Sequence, residues 1–199
     1  MRDSSAAPLD APTSVARDDA LLAAIRRGDA AAFRQFYDAY APALLRFATH
    51  VVASASDAED VVHDVFLWCW THRAELDIRG DVRIYLFAAV RRRALHTLRH
   101  ERVVRAKGDQ FGAEVAGVAA APGTAADTAL DADAMRAVIE RALMQLSETQ
   151  RRILLLRWRE GLGYRDIAHI LGTSTDAAKQ QVSRLQRALR PLLERFRLP

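Results

Sequence analysis

Apolar residues recur every three or four positions over most of this chain, and the breaks in that rhythm divide it into helices. The rhythm starts at Asp18, with Leu21, Leu22 and Ile25, and Gly28 ends it. Asp29 then caps a second helix carrying Phe33, Phe36, Tyr37 and Tyr40. Pro42 is expected near the start of a new turn, with Leu44, Leu45, Phe47 and Val51 following as core candidates. Ser56-Asp57-Ala58-Glu59 has the form of a capping box and opens a helix from 57 to about 74. Its inner face reads Ala58, Val61, Val62, Val65, Phe66, Cys69 and Trp70, while Asp60, His63, Asp64, Leu67 and Trp68 fall nearer the outer one. After a loop at 76–81, Asp81 caps a long helix from 82 to about 105, with Ile84, Leu86, Phe87, Val90, Ala94, Leu95 and Leu98 as its apolar set.

The stretch 108–130 is rich in Gly, Ala, Thr and Asp, carries little hydrophobic bulk, and reads as a flexible linker. Helical spacing returns at Met135, Val138, Ile139, Leu143 and Leu146. A second capping box, Ser147-Glu148-Thr149-Gln150, opens a helix to Glu160, where Gly161 stops it. The expectation is an all-α protein of two small helical domains. A disordered tail covers 1–17, one domain covers 18–107, the linker covers 108–130, and a second domain covers 131–199.

The segment 163–189 is the most specific. Tyr164 to Leu171 reads as a short helix with Ile167, Ala168, Ile170 and Leu171 on its buried stripe. Gly172 ends it, since glycine enters the left-handed conformation without steric cost. Ser174 or Thr175 caps the next helix, and Asp176 suits its positive end. Ala178, Val182, Leu185 and Leu189 form one inner face of that helix, which leaves Lys179, Gln180, Ser183, Arg184 and Arg187 outside. Pro191 is expected to kink or restart its tail. A short helix, a glycine turn and a helix with a Lys/Gln/Arg face make a helix-turn-helix suited to a DNA major groove.

Charge sharpens this picture. The net charge is +4, but 1–82 balance to −5, 83–107 to +7, 108–130 to −3 and 131–199 to +5. Two basic blocks about an acidic spacer point to two contacts with a polyanion. The first block sets eight bases against Glu101 alone over the long helix, with aromatic residues in or near it. That combination fits single-stranded nucleic acid, whose phosphates need cations and whose bases need stacking surfaces. Cys69 is the only cysteine, so no disulfide forms, and it reads as a small buried hydrophobe. No nucleophile–base pair, glycine-rich phosphate loop or metal-ligand cluster is visible, so neither catalysis nor a cofactor is expected. The acids of 57–64 read as compensation of a helix dipole. With no apolar run of membrane-spanning length and no signal-peptide core, a cytoplasmic protein without membrane insertion is expected.

This arrangement resembles an extracytoplasmic-function sigma factor, the bacterial initiation factors that carry only sigma regions 2 and 4. In region 2 the resemblance rests on Asp57-Ala58-Glu59-Asp60, then Val61 to Leu67, Trp70, the run from Tyr85 to Arg91, Ala94-Leu95 and Leu98-Arg99. In region 4 it rests on Leu146 to Arg151, Gly163 to Ala168, and Leu171-Gly172. It implies a non-catalytic subunit that binds core RNA polymerase and directs it to promoters, with an anti-sigma factor as a further candidate partner. Asp57, Asp60, His63, Asp64, Leu67 and Trp68 would meet the clamp region of polymerase. Arg79, Arg83, Tyr85, Arg91, Arg92, His96 and Arg99 would hold the single-stranded −10 element. Arg165, Ser174, Thr175, Lys179, Gln180, Gln181, Ser183, Arg184 and Arg187 would meet the duplex −35 element. Relatives often carry Asn and Asp at the places of Arg92 and His96, Ser-Arg at those of Gln180-Gln181, and a charged residue at that of Trp68. A glutamine pairs with the N6 and N7 edge of adenine where arginine favours guanine, so an adenine is expected in the −35 element. The alternative from another class is a helix-turn-helix regulator that binds duplex operators without polymerase. Nothing in such a sensor would call for the basic helix.

Overall fold

The computed structural model describes residues 11–52, 54–78, 80–108 and 146–194, with the side chains of 17–52, 54–78, 80–100 and 146–190. Among them every regular element is helical. The linker at 108–130 beyond Gly108, the Met135–Leu143 pattern and Arg79 lie outside the described residues. The backbone divides into two units, Met1–Asp109 and Gln110–Pro199.

The first unit holds α1 (Ala11–Arg26), α2 (Ala30–Ala48), α3 (Ala55–Thr71), a 3-10 turn (Arg73–Glu75) and α4 (Val82–Gly108). Helix α2 lies centrally, touching α1, α3 and α4. Its core is aromatic. Phe36, Phe47, Phe66 and Phe87 are fully buried. Phe36 meets Phe66 edge-on at 5.8 Å, and Phe47 meets Phe87 edge-on at 5.2 Å. Each such ring contributes about 1.5–3 kcal/mol by leaving water, so these pairs fix how α3 and α4 sit on α2. Asp29 caps α2 as expected, accepting from the amides of Ala31 and Ala32 at 2.9 and 3.0 Å.

Four boundaries differ from the sequence expectation. Helix α1 begins at Ala11, not Asp18, so the helical part reaches back into the stretch expected to be a disordered tail. Its first residues, Ala11 and Pro12, suit a first turn, where proline lacks only a donor that has no partner there. Pro42 starts no new element. It lies inside α2, where a helix normally loses a hydrogen bond, but the side chain is exposed while Leu44, Phe47 and Ala48 stay buried. Packing of that face outweighs the lost bond. The cap of α3 is Ser54, not Ser56: its hydroxyl accepts from Asp57 N at 3.0 Å and donates to the Asp57 carboxylate at 2.6 Å. Ser54 and Ser56 each stand three residues before an acid, and the earlier pair won because it adds helix without rotating the buried face. Helix α3 also ends at Thr71, earlier than 74.

The second unit holds α5 (Glu148–Leu154), continued by a π-helical turn (Leu155–Arg159), then α6 (Tyr164–Leu171) and α7 (Thr175–Glu194). The Ser147 box is complete, with Gln150 N bonded to Ser147 Oγ at 3.3 Å and Ser147 N to Gln150 Oε1 at 2.8 Å. Helix α7 runs through position 191 to Glu194 with no break, against the expected kink.

Candidate polymerase and nucleic-acid interfaces

Helix α3 presents two stripes outside its core face. Ala58, Val61, Val62, Val65, Phe66 and Cys69 are buried. Opposite them Asp60, His63 and Leu67 are exposed, Leu67 at 49%. A 100° step per residue puts these three within about 60° of one another. Asp64 and Trp68 lie on the flank that turns toward α4. There Asp64 Oδ2 accepts from Arg93 Nε at 2.9 Å and from the same guanidinium's Nη2. Trp68, 47% exposed, stacks on His72 with ring centroids 4.7 Å apart and planes 16° off parallel. The candidates on α3 are therefore not equivalent. Asp57 is half-buried and bonded to Ser54, and Asp64 is paired, so Asp60, His63 and Leu67 carry the outward stripe.

Helix α4 separates its basic residues in the same way. Asp81 accepts from Arg83 N at 2.8 Å and grips the Arg83 guanidinium at 2.7 Å, which commits that cation to the helix start. Burial tends to raise the Asp81 carboxyl, but the hydrogen bonds and charge of Arg83 outweigh it and hold it below the usual carboxylate range. Arg91 is half-buried, and that burial lowers its guanidinium pKa from the ordinary arginine value. Tyr85, Arg92, His96 and Arg99 remain, spaced at i, i+7, i+11 and i+14 on one stripe. Arg92, His96 and Arg99 are exposed, and Tyr85 is half-buried, its phenol raised by burial and by the nearby Cys69. Between α3 and α4 runs a groove of about 800 Å³, bordered by Trp68, Tyr85, Ala89, Arg92, Arg93 and His96. Neither the Asp64–Arg93 pair nor this groove was expected, because both depend on which flanks of two distant helices face each other.

In the second unit α6 and α7 form the helix-turn-helix. Gly172 has φ 58° and ψ 45°, and its turn is closed by Gly172 N on His169 O at 3.2 Å and Thr173 N on Ala168 O at 2.9 Å. Asp166 accepts from Gly163 N at 3.2 Å, tying down the start of α6. Ser174, exposed, caps α7 by accepting from Ala177 N at 3.1 Å, and Thr175 is half-buried. Ile167, Ala168 and Ile170 bury opposite Ala178, Val182 and Leu185, the pattern that holds α7 against α6. Gln180, Ser183, Arg184 and Arg187 stand exposed on the face opposite, with Lys179 beside them and 3.7 Å from Asp176. Gln181 is half-buried on a flank of the helix, about 110° from the centre of the outward face. Arg165 is exposed at the start of α6. Sequence reasoning missed Trp158, 47% exposed on the π-helical turn, and the Arg157 guanidinium 4.9 Å over the Tyr164 ring. Among the described residues, no helix is long and apolar enough to cross a membrane.

A four-helix unit with acidic and basic outer stripes, and a second unit with a helix-turn-helix, define a DNA-directed regulatory protein. The profile of Sigma-70 region 2 matches residues 36–103, and that of Sigma-70, region 4 matches 136–190, together more than half of the chain. The chain is 29% identical over 177 residues to the ECF RNA polymerase sigma factor SigK of Mycobacterium ulcerans, covering 88% of this chain and 93% of that protein. It is equally similar to SigK of Mycobacterium tuberculosis H37Rv. Its fold is similar to that of the sigma factor RpoE solved with the anti-sigma factor NepR from Bartonella quintana: TM-score 0.61, 27% identity, 81% of this chain and 96% of that one. CnrH, solved with the cytosolic domain of CnrY, shares the fold at TM-score 0.57 and 22% identity, over 89% of this chain and 97% of that one. The chain belongs to the sigma-70 family, in its extracytoplasmic-function group. It is a non-catalytic transcription initiation factor whose partners are core RNA polymerase and promoter DNA. A duplex-operator regulator that acts without polymerase is not favoured.

Proposed function

We propose a division of labour among three surfaces of this factor. The outward stripe of α3, Asp60, His63 and Leu67, docks on the polymerase clamp, where an acidic and apolar face meets a basic partner. The α4 stripe of Tyr85, Arg92, His96 and Arg99 holds the −10 element as its strands separate. Arg83 and Arg91 stiffen that helix more than they touch DNA, given their partner and burial. The outward face of α7 reads the −35 duplex. There Gln180 is the base reader, because its amide stands on the exposed face, and Ser183, Arg184 and Arg187 meet phosphates alongside Lys179. Arg165 and Ser174 flank that contact at the helix starts, with Thr175 beside them, and Gln181 supports it from the edge. The chain works in the cytoplasm, where core polymerase is found. An anti-sigma factor is a candidate regulator, since the similar RpoE was solved in complex with one.

The observation that carries this reading is the sorting of charge by face. Acids and an exposed leucine point out from α3, while cations point out from α4 and α7. Promoter selection from a randomised pool, with holoenzyme rebuilt from core polymerase and the full chain, tests it. Gln180→Arg is expected to move one −35 position from adenine to guanine, a change of about 1–3 kcal/mol in discrimination, and to leave the −10 preference alone. Arg187→Ala is expected to weaken all promoters alike and lower the salt slope by about one. If Gln180→Arg leaves every preference unchanged while Gln181→Arg shifts one, the base reader is on the flank and the assignment of α7 is wrong.

A further inference from the structure

Helix α1 ends beside the loop that leads into α4, and it reaches that loop with side chains its own packing does not use. Leu21, Leu22 and Ile25 are buried, and α1 lies along α2. Arg26, exposed in the last turn of α1, sends its Nε–H to the carbonyl oxygen of Leu76, 50 residues further on, at 2.8 Å. Leu76 is 3% exposed and Ile78 is buried, so the chain there is pressed into the unit, and its carbonyls need donors. The turn after α1 lies close by. A Cβ added to Gly28, which has φ 87°, would stand 3.8 Å from Arg73 Nε. Arg73 in turn donates to Trp70 O at 2.9 Å and covers the Trp70 ring.

A second tie meets the far end of the same loop. Asp18, two turns before Arg26, is a buried carboxylate that accepts from the Tyr40 hydroxyl, and Tyr40 feels the charges of Asp81 and Arg83. Burial first, and then Asp18, hold that phenol protonated and therefore a donor. Eight residues of helix cover about 12 Å, a span that the five-residue step from 76 to 81 can match. A cation in the last turn also answers the negative end of a helix, but a solvated arginine does that without reaching Leu76. What the reach adds is position. Asp81 grips Arg83, and Tyr85, where the outward stripe of α4 begins, bonds through its amide to Asp81 O at 3.3 Å.

We propose that Arg26 is a positioning residue for promoter choice at the −10 element. Its Nε–H fixes the Leu76 carbonyl, the loop then enters α4 at one angle, and the stripe of Tyr85, Arg92, His96 and Arg99 meets DNA in one register. Arg26 itself touches no DNA. This rests on the reading that the α4 stripe holds the −10 element. The chemistry of the contact supplies its own control. Glutamine carries an N–H as many bonds from the backbone as arginine Nε, without the charge, and methionine has the same reach with no donor.

The test uses holoenzyme made from core polymerase and full-length variants. Open complexes are counted on a promoter that the wild-type holoenzyme selects from a random pool, and on copies with each −10 or −35 base replaced in turn. Arg26→Met is expected to lower discrimination at the −10 element about 3- to 10-fold, the weight of one hydrogen bond, and to leave −35 discrimination within about twofold. Arg26→Gln is expected to restore −10 discrimination to within about twofold of wild type and to leave the salt slope unchanged. A merely structural arginine would give a different result, since loss of folded protein lowers all promoters alike and leaves the ratios between them intact; that outcome with Arg26→Met overturns the proposal, as does no change at all. If Arg26→Gln fails as badly as Arg26→Met and lowers the salt slope by about one, Arg26 is a direct phosphate contact and the proposal is again overturned. Arg92→Gln on the α4 stripe separates the two levels. A −10 preference that Arg92→Gln leaves intact overturns the α4 reading and the proposal with it, whereas one that Arg92→Gln alters and Arg26→Met does not overturns the role of Arg26 alone.

Discussion

Leu67→Ala isolates the stripe we propose to dock on polymerase, because the side chain does little for the fold. Leu67 is 49% exposed on the outward face of α3, away from the buried row of Val61, Val62, Val65 and Phe66. Complete burial of a leucine is worth about 1.5–3 kcal/mol relative to leaving it in water. About half of this residue is already out of water, so docking adds at most the other half, about 0.7–1.5 kcal/mol. That corresponds to a roughly 3- to 12-fold rise in the Kd for core polymerase. Stability should move by no more than about 0.5 kcal/mol, the ordinary effect of a surface change. Titrating core polymerase into the dye-labelled chain gives the Kd, and a thermal melt gives the fold. Asp60→Lys on the same stripe should act differently, slowing association and changing its salt dependence, because it reverses a charge that steers the encounter. If both variants fold and both bind core polymerase like wild type, the outward stripe of α3 does not dock and the sorting argument fails.

Three further outcomes follow from local geometry. Gly172→Ala places a side chain at φ 58°, so it should cost about 1–2 kcal/mol, read as a lower Tm of the second unit, and an unchanged Tm would show that the left-handed turn is not required. Asp81 is held below its ordinary carboxyl range, so its contribution is present above about pH 4 and is lost as pH falls through the lower folded value. Asp81→Asn should therefore lower the Tm at pH 7, and the gap to wild type should close in acid; a gap that widens in acid would contradict the Arg83 pairing. Burial pushes the Cys69 thiol up to about 11, so iodoacetamide at pH 8 should leave it untouched in the folded protein and modify it quickly in denaturant. Rapid labelling of the native chain would mean that the α3–α4 packing opens.

Much of the fold could be read locally. Asp29, Ser147 and Gly172 each act on backbone groups within three or four residues of themselves, and such chemistry is written in the sequence around them. Ser54 and Ser56 show the limit, because two overlapping boxes satisfy the same local rule and only the folded helix shows which one is used. Pro42 shows another, since the packing of Leu44 and Phe47 overrode the break that proline usually signals. The candidate site was legible as a set of residues but not as a set of faces. Periodicity finds the buried side of α3, yet whether Trp68 points to polymerase or to the groove depends on α4 lying along that flank. The Asp64–Arg93 pair joins positions 29 residues apart, and nothing near either residue announces it. The same holds for Arg83 and Arg91, which look like their neighbours in the basic run until Asp81 and burial set them apart.

Run-off transcription bears most directly on the central claim that one chain docks on polymerase and chooses the promoter through separate faces. Core polymerase is mixed with the full chain and a pool of genomic fragments, and transcript starts are mapped. The account predicts that starts appear only when the chain is present, each preceded by a shared −10 and −35 pair. It also predicts that Leu67→Ala lowers all of them alike, while Gln180→Arg changes which fragments are used. Fragments bound by the chain as duplex, with no new start on any of them, would contradict it.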